Sequence, residues 1–323
     1  MKIRRIAVMT SGGDAPGMNA AIRAVVRSAN AKDVEVYGIR RGYTGLLSGD
    51  FERLTNREVS GILQRGGTIL QTARNAEFKT EKGQKRGLRR LNEQGIDGLV
   101  VIGGDGSLTG ALALHEMGFP VVGIPGSIDN DIWGTNMSIG VDTALNTILD
   151  AIDKLRDTAS SHERAFLIEA MGRNSGYLTL MSGILGGAEI VVTPERPIEL
   201  EEIAQALDDA YMRGKSHAIA VIAEGAKHKI NEVAAYLETH PCGFEVRVTI
   251  LGHVQRGGSP TAFDRLLATR MGVHAVDELL AGRSGVMVGL DGRSITPVPL
   301  AEVISQKREI TESYFEMAQI LSR

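Results

Sequence analysis

Six short apolar runs punctuate the chain: Ile6–Met9, Gly98–Ile102, Val121–Ile124, Ala165–Ile168, Ala218–Ile222 and Val246–Leu251. They read as strands buried on both faces. The stretches between them carry helical period instead. In Asp142–Asp157, Leu145, Ile148, Leu149, Ile152 and Leu155 step by three and four, while Asp150, Asp153 and Lys154 face away. Strand runs alternating with helical runs predict βαβ units, parallel sheets and an α/β fold.

Five of the six runs are soon followed by a polar glycine loop: Thr10-Ser11-Gly12-Gly13-Asp14, Gly103-Gly104-Asp105-Gly106-Ser107, Pro125–Asp131, Met171-Gly172-Arg173 and Gly252–Gly258. Ligands of open α/β sheets sit outside the carboxyl ends of the strands, so all five are candidate site loops. Glu195-Arg196-Pro197 and Pro297-Val298-Pro299 read as local punctuation, as turns or as domain boundaries.

Composition narrows the class. A chain of 323 residues suits two domains or one large α/β unit, and 43% hydrophobic residues suffice for a core rather than a disordered chain. The 36 Lys and Arg against 39 Asp and Glu leave a formal charge of −3, which argues against a nucleic-acid partner. Cys242 is the single cysteine, so no intrachain disulfide and no Cys-rich metal site is expected. Lys2, Arg4 and Arg5 lead straight into a short apolar run, unlike a signal peptide. The longest charge-free stretch, about 174–188, is too short for a spanning helix of roughly 20 residues. The expectation is a soluble, cytoplasmic protein without a membrane partner. Glycine is the outlier, 39 of 323 residues against a usual ~7%, and it clusters in the loops.

The loops carry the chemistry. At Gly103–Ser107, backbone N–H groups and the start of the next helix suit a phosphate, and Asp105 suits a hard cation such as Mg²⁺. The same residues also fit a plain glycine turn with a capping Asp. In Pro125–Asp131, the carboxylates of Asp129 and Asp131 straddle an amide, with the hydroxyl of Ser127 two residues before the first. One carboxylate can take a proton from a bound hydroxyl and the other orient a cation or donor, or the segment is an Asx-turn. Arg164, Arg173, Arg247 and Arg256 sit at the edges of apolar runs, with His253 three residues from Arg256. Guanidinium groups so placed can grip phosphate bidentately. Arg23 and Arg27 share a helix face, where snorkelling over apolar surface is the plain reading. These residues imply a nucleotide polyphosphate, Mg²⁺ and a second anionic substrate, and no more.

Together the loops resemble the bacterial ATP-dependent 6-phosphofructokinase family, nearly end to end. The resemblance rests on Thr10–Asn19, Gly103–Ser107, Pro125–Asp131, Met171–Arg173 and the segment from Arg247 through Gly252-His253, Gln255-Arg256-Gly257-Gly258 and Asp264-Arg265. It implies transfer of the γ-phosphoryl of MgATP to the 1-hydroxyl of fructose 6-phosphate, a step of glycolysis. Asp129 would be the base and Asp105 would hold Mg²⁺. Asp131, Ser127 and Arg173 complete the catalytic group, with Ser127 and Arg173 on the transferring phosphoryl. Gly12, Arg74, Asn75, Gly104, Asp105, Gly106 and Ser107 would line the ATP site. Met171, Gly172 and Glu224 would position the sugar, and Arg164, Arg247, His253 and Arg256 its 6-phosphate. Two of those arginines would come from a neighbouring subunit of a homotetramer. Arg23, Arg27, Arg156, Gly187, Glu189, Arg213 and Lys215 match an effector site for ADP or phosphoenolpyruvate.

The resemblance also implies two Rossmann-like three-layer domains with an active site in the cleft between them. The larger, nucleotide-binding domain would span 1–140 and 255–305, and the smaller, sugar-phosphate domain 141–254 and 306–323. Two positions depart from the family pattern. Asn56, with Arg57 adjacent, stands where a family arginine serves the effector, and Ser127 stands where many relatives carry threonine. Pyrophosphate-dependent relatives carry an aspartate at the position of Gly106 and a lysine at that of Gly126, so ATP is the expected donor. Two rivals are a kinase of the GGDG-bearing NAD or lipid type, which has no need of the Arg247–Arg265 segment, and an inert nucleotide-binding regulatory subunit, which would be free to lose Asp105, Asp129, Asp131 and Arg173.

Overall fold

The computed structural model describes residues 3–321. Met1 and Lys2 of the expected first domain, and residues 322 and 323 of the second, lie outside them. From the N-terminus the elements run β1 (Arg5–Ser11), α1 (Met18–Asn30), β2 (Glu35–Ile39), α2 (Gly42–Ser48), β3 (Phe51–Leu54), α3 (Glu81–Glu93), β4 (Gly98–Gly103), α4 (Asp105–Glu116) and β5 (Val121–Pro125). There follow α5 (Val141–Ser160), β6 (Arg164–Ala170), α6 (Tyr177–Leu185), β7 (Ile190–Val192), α7 (Leu200–Met212), β8 (Ala218–Ala223), α8 (Ile230–Thr239) and β9 (Glu245–Ile250). The chain ends with α9 (Ala262–Leu280), β10 (Val286–Asp291), β11 (Ser294–Pro299), α10 (Leu300–Ser305) and α11 (Glu312–Leu321). Two compact units result. One runs to Thr143 and adds Arg256–Arg308; the other takes Ala144–Gln255 and the residues from Glu309 onward.

The first unit is built on a seven-stranded sheet of order β11-β10-β5-β4-β1-β2-β3. Its inner strands are parallel, and β3 and β11 are antiparallel at the edges. Strand alternation gives the sheet two buried faces. Ala7, Met9, Leu99 and Val101 pack with Leu46, Leu91, Leu108 and Val303 from α2, α3, α4 and α10. Ile6, Val8, Val100 and Ile102 are buried on the opposite face, where α1 and α9 lie against each other. Each fully buried Leu or Ile contributes about 1.5–3 kcal/mol by burial.

The second unit has an all-parallel sheet of order β7-β8-β6-β9. Ala165, Leu167, Ala218, Ala220 and Ile222 pack with Ile203, Leu207, Val233 and Leu237 of α7 and α8. The other face, with Phe166, Ile168, Ile219 and Val221 buried, carries α6. Both units therefore have the expected three-layer α/β character.

Two expectations are corrected. Val246–Leu251 is not a strand buried on both faces: β9 lies at a sheet edge, with Val248 40% and Ile250 53% exposed. Pro297-Val298-Pro299 is neither a turn nor a boundary but lies within β11, an edge strand, where a missing N–H is tolerated. Strands β2, β3, β7, β10 and β11 were not foreseen, because they are short, alternate with charge or contain glycine or proline. Helix α5 covers the expected Asp142–Asp157 and extends it at both ends. Among the described residues no helix is long and apolar enough to cross a membrane.

Candidate functional site

In the first unit, the carboxyl ends of β1, β4 and β5, adjacent in the sheet, bring three of the expected loops together. Gly103 ends β4, and a Cβ there would meet the Ser11 carbonyl at 2.5 Å and the Ser107 hydroxyl at 2.6 Å. Only glycine lets the β1 and β4 loops approach so closely. Asp105 and Gly106 open α4 and are exposed. A Cβ on Gly106 would meet nothing within 4 Å, so this helix start faces open space, the arrangement a phosphate uses. Ser107 behind it is buried, and its carbonyl accepts a hydrogen bond from the Tyr43 hydroxyl at 2.6 Å. Tyr43 stacks on Phe78, and burial pushes its phenol well above the usual range, so it stays a neutral donor.

The β5 loop is held by its own backbone. Gly126 and Ile139 form a parallel bridge. The Ile139 N–H donates to the Pro125 carbonyl at 3.0 Å, and the Ser127 N–H donates to the Ile139 carbonyl at 3.2 Å. The Asp129 N–H donates to the Ser127 hydroxyl at 3.2 Å, so these two predicted residues share one turn. Asp129 is buried and Asp131 half-buried. Asn130 between them adopts a left-handed conformation with φ 51°. Its amide oxygen accepts from the Ser138 N–H and its carbonyl from Arg308. The turn is capped by the Ser127 hydroxyl rather than by an Asx side chain, and Asp129 and Asp131 flank Asn130 within one segment.

Other expected ligands in this unit already have structural work. Arg256 donates to the Asp14 carbonyl at 3.0 Å and lies against Gly13, where a Cβ would meet its guanidinium at 2.5 Å. Asn75 donates to Thr44 and accepts from the Phe78 N–H. Arg74 is exposed, and the Gly12 carbonyl accepts from Thr72. Arg23 is half-buried and Arg27 exposed on α1. Asn56 accepts a hydrogen bond from Asn30, and Arg57 is exposed beside it.

In the second unit, the β6 loop is fixed by two side chains. Glu224 accepts from the Gly172 N–H at 3.1 Å and the Arg173 N–H at 2.7 Å, and Gln255 accepts from the Met171 N–H at 3.2 Å. Arg173 is exposed, and its φ of 52° puts its backbone in the left-handed region. Glu169, on the same strand, has its carboxyl pKa raised by burial and by neighbouring Glu224, partly offset by Lys229. Arg164 and Arg247 are both held by Glu245, whose carboxylate accepts from Arg164 at 2.7 Å and pairs with Arg247. The Arg164 hydrogen bond lowers the Glu245 pKa. His253 is exposed.

The second-unit effector candidates also cluster. Arg156 contacts the Gly186 and Gly187 carbonyls and lies 3.2 Å from His217. Buried Glu189 accepts from Lys215 at 3.0 Å and from the Ile219 N–H at 2.5 Å. Arg213 is exposed at the end of α7. Residues that sequence reasoning missed are Tyr43 and Glu245, while Gln255 stands in the Gly252–Gly258 loop with no role assigned to it. Tyr43 carries no local signal, because its partner lies 64 positions away; Glu245 stands two residues before Arg247, a like-face spacing on a strand that offered a clue.

The phosphofructokinase family model matches residues 5–279. The chain belongs to the phosphofructokinase family. It is 56% identical over 321 residues to an ATP-dependent 6-phosphofructokinase of Thermotoga neapolitana, covering 99% of this chain and all of that one. It is 54% identical over 320 residues to one of Halalkalibacterium halodurans, with the same coverage. Among solved structures, phosphofructokinase from Saccharomyces cerevisiae superposes with a TM-score of 0.88 at 39% identity, over 94% of this chain. This chain spans 45% of that yeast chain. Family membership removes the NAD- or lipid-kinase rival.

Proposed function

We propose that this chain is an ATP-dependent 6-phosphofructokinase, a phosphotransferase that converts fructose 6-phosphate and ATP to fructose 1,6-bisphosphate and ADP in glycolysis. The observation that carries the reading is end-to-end identity of 56% with a relative of that name, joined to a β5 loop that holds Ser127 and Asp129 in one turn. In this reading the 1-hydroxyl of the sugar attacks the γ-phosphorus, Asp129 takes the hydroxyl proton, and the bond to the ADP oxygen breaks. Burial of Asp129 suits a base that water must not reach. Ser127 donates to the transferring group, and Arg173 neutralises charge on it. Asp131 orients donors around them.

Asp105 fits a magnesium ion brought in with ATP. It is a single exposed carboxylate beside open space, and a hard cation completes such a shell with phosphate oxygens and water. Bound there, Mg²⁺ would neutralise the polyphosphate. Gly12, Arg74, Asn75 and Gly104–Ser107 would bind the nucleotide. A side chain at position 106 would enter the open space that an α-phosphate needs, and one at 126 would meet Met18 at 3.1 Å and Ile102 at 3.4 Å. Both favour ATP over pyrophosphate.

Met171, Gly172 and Glu224 would position the sugar. Arg164, Arg247, His253 and Arg256 would bind its 6-phosphate, with a homotetramer supplying some of them from a second copy. The Arg156, Gly187, Glu189 and Lys215 cluster, with Arg213, Arg23 and Arg27, would take ADP or phosphoenolpyruvate. The site of action is the cytoplasm. Initial rates with fructose 6-phosphate and Mg²⁺, comparing ATP with pyrophosphate, test the function. Turnover with ATP alone is expected. Turnover with pyrophosphate alone would overturn the donor assignment, and none with either would bring forward an inert regulatory role.

A further inference from the structure

Asp264 is fully buried, yet nothing in the reaction as described uses it. It lies in the first turn of α9, where its N–H donates to the Thr261 hydroxyl. Its carboxylate points away from its own helix. Oδ1 accepts from the Gly140 N–H at 2.8 Å. Oδ2 accepts from the Thr143 N–H at 2.8 Å and the Thr143 hydroxyl at 2.6 Å. Those N–H groups belong to the start of α5, where helical donors have no partner of their own. The Thr143 oxygen in turn accepts from the Thr261 N–H at 3.0 Å. One carboxylate thus ties the N-termini of two helices distant in sequence.

The tie reaches the β5 loop directly. Gly140 follows Ile139, the residue whose N–H and carbonyl clamp Pro125 and Ser127. A carboxylate that fixes residues 140 and 143 therefore fixes the strap against which Ser127 and Asp129 are set. The β1 loop rests on the same knot. A Cβ on Gly17 would meet Ile139 at 2.6 Å and Asp264 at 3.6 Å, and one on Gly140 would meet Ala15 at 2.7 Å.

We propose that Asp264 is a positioning residue for phosphoryl transfer, acting through Gly140, Thr143 and Ile139 to hold Ser127 and Asp129 in register with the β1 loop. The inference rests on the roles given to Ser127 and Asp129 above. Burial raises the Asp264 pKa while its three donors lower it, with burial the larger cause. The donors oppose the neutral form, in which one oxygen would turn a proton toward an N–H. An asparagine faces the same conflict, because its NH₂ must oppose either Gly140 or Thr143.

The test is steady-state kinetics of Asp264→Asn, Thr143→Val, Thr143→Ser and Asp129→Asn, with thermal unfolding of each. Asp264→Asn is expected to lower kcat about 10- to 100-fold, the size that a displacement of about 1 Å costs. Half-saturating ATP and fructose 6-phosphate should stay within about threefold. Thr143→Ser, which keeps the hydroxyl, should retain most activity, and Thr143→Val should lose kcat in the same direction as Asp264→Asn. If Asp264→Asn does not fold, lower kcat in Thr143→Val than in Thr143→Ser at equal half-saturation still supports the inference, and equal kcat overturns it. A folded Asp264→Asn that melts earlier but turns over at the wild-type rate reduces Asp264 to a purely structural tie. Wild-type turnover in Asp129→Asn removes the underlying reading and this inference with it. An inactive Asp129→Asn beside an unaffected Asp264→Asn removes this inference alone.

Discussion

The β5 loop of the first unit and the arginine cluster of the second solve placement in opposite ways. The loop that carries Ser127 and Asp129 is held by buried backbone bonds to Ile139 and, behind them, by the buried Asp264 carboxylate. Arg164 and Arg247 are held by Glu245 on an exposed edge strand, through side chains that solvent reaches. Buried hydrogen bonds of fixed geometry resist small displacements and screen poorly. Surface ion pairs are weak, adjustable and sensitive to salt. Groups that must meet a reacting atom within fractions of an ångström gain from the first kind. Groups that must release one anion to take another gain from the second.

The largest expected effect strikes the rigid region. Asp129→Asn should lower kcat about 10²- to 10⁴-fold, the range for removing a positioned base, and leave half-saturating fructose 6-phosphate nearly unchanged; stopped-flow or coupled-assay kinetics would show it. Loss of affinity at equal kcat would reverse the comparison. Next comes Arg247→Ala in the adjustable region. Hydrogen bonds to a charged group are worth about 1.5–3 kcal/mol, so half-saturating fructose 6-phosphate should rise about 10- to 100-fold while kcat at saturation moves little.

Smaller effects sharpen the contrast. Glu245 pairs with the two arginines proposed for the sugar phosphate, so Glu245→Gln should lower half-saturating fructose 6-phosphate about two- to fivefold, as expected for loss of a competing surface pair. An increase instead would mean that Glu245 orients the arginines rather than competing for them. The smallest effect concerns Glu169, whose folded-state pKa is raised by burial and by Glu224. A carboxyl raised on folding contributes its stability below the unfolded pKa, about 4.3, and loses it as pH rises through the folded value. Glu169→Gln should therefore melt about 1–2 °C above wild type at pH 7.5, and the gap should close toward pH 4. A gap that widens in acid would show that Glu169 is stabilised, not strained, by its surroundings.

The same contrast explains what was legible in the amino-acid sequence. Of the inner strands, β1, β4, β5, β6 and β8 stand out because continuous apolar runs have no exposed face to encode, whereas β2 and β10 are interrupted by Gly38 and Gly289 and do not. The edge strands β3 and β11 were missed because one side of an edge faces solvent and admits Glu52, Arg53 or Pro297 without cost to the core. The candidate site follows the same rule. Ser127, Asp129 and Asp105 lie within short contiguous loops, so their shared chemistry is visible in a handful of residues. Tyr43 holds Ser107, and Asp264 holds Gly140, across 64 and 124 positions; such partners are set by tertiary packing and leave no local pattern. Asp264 lies in the stretch that carries the family pattern, but its carboxylate's partners are set only in the folded chain.

Turnover should depend on buried backbone geometry, and sugar-phosphate affinity on exposed charge. The most direct measurement is kcat and half-saturating fructose 6-phosphate for the wild-type chain across ionic strength at saturating MgATP. Raising ionic strength from 0.01 M to 0.1 M shortens the Debye length from about 30 Å to about 10 Å. Half-saturating fructose 6-phosphate should rise severalfold while kcat stays within about twofold. A kcat that falls with salt while half-saturation holds steady would contradict it.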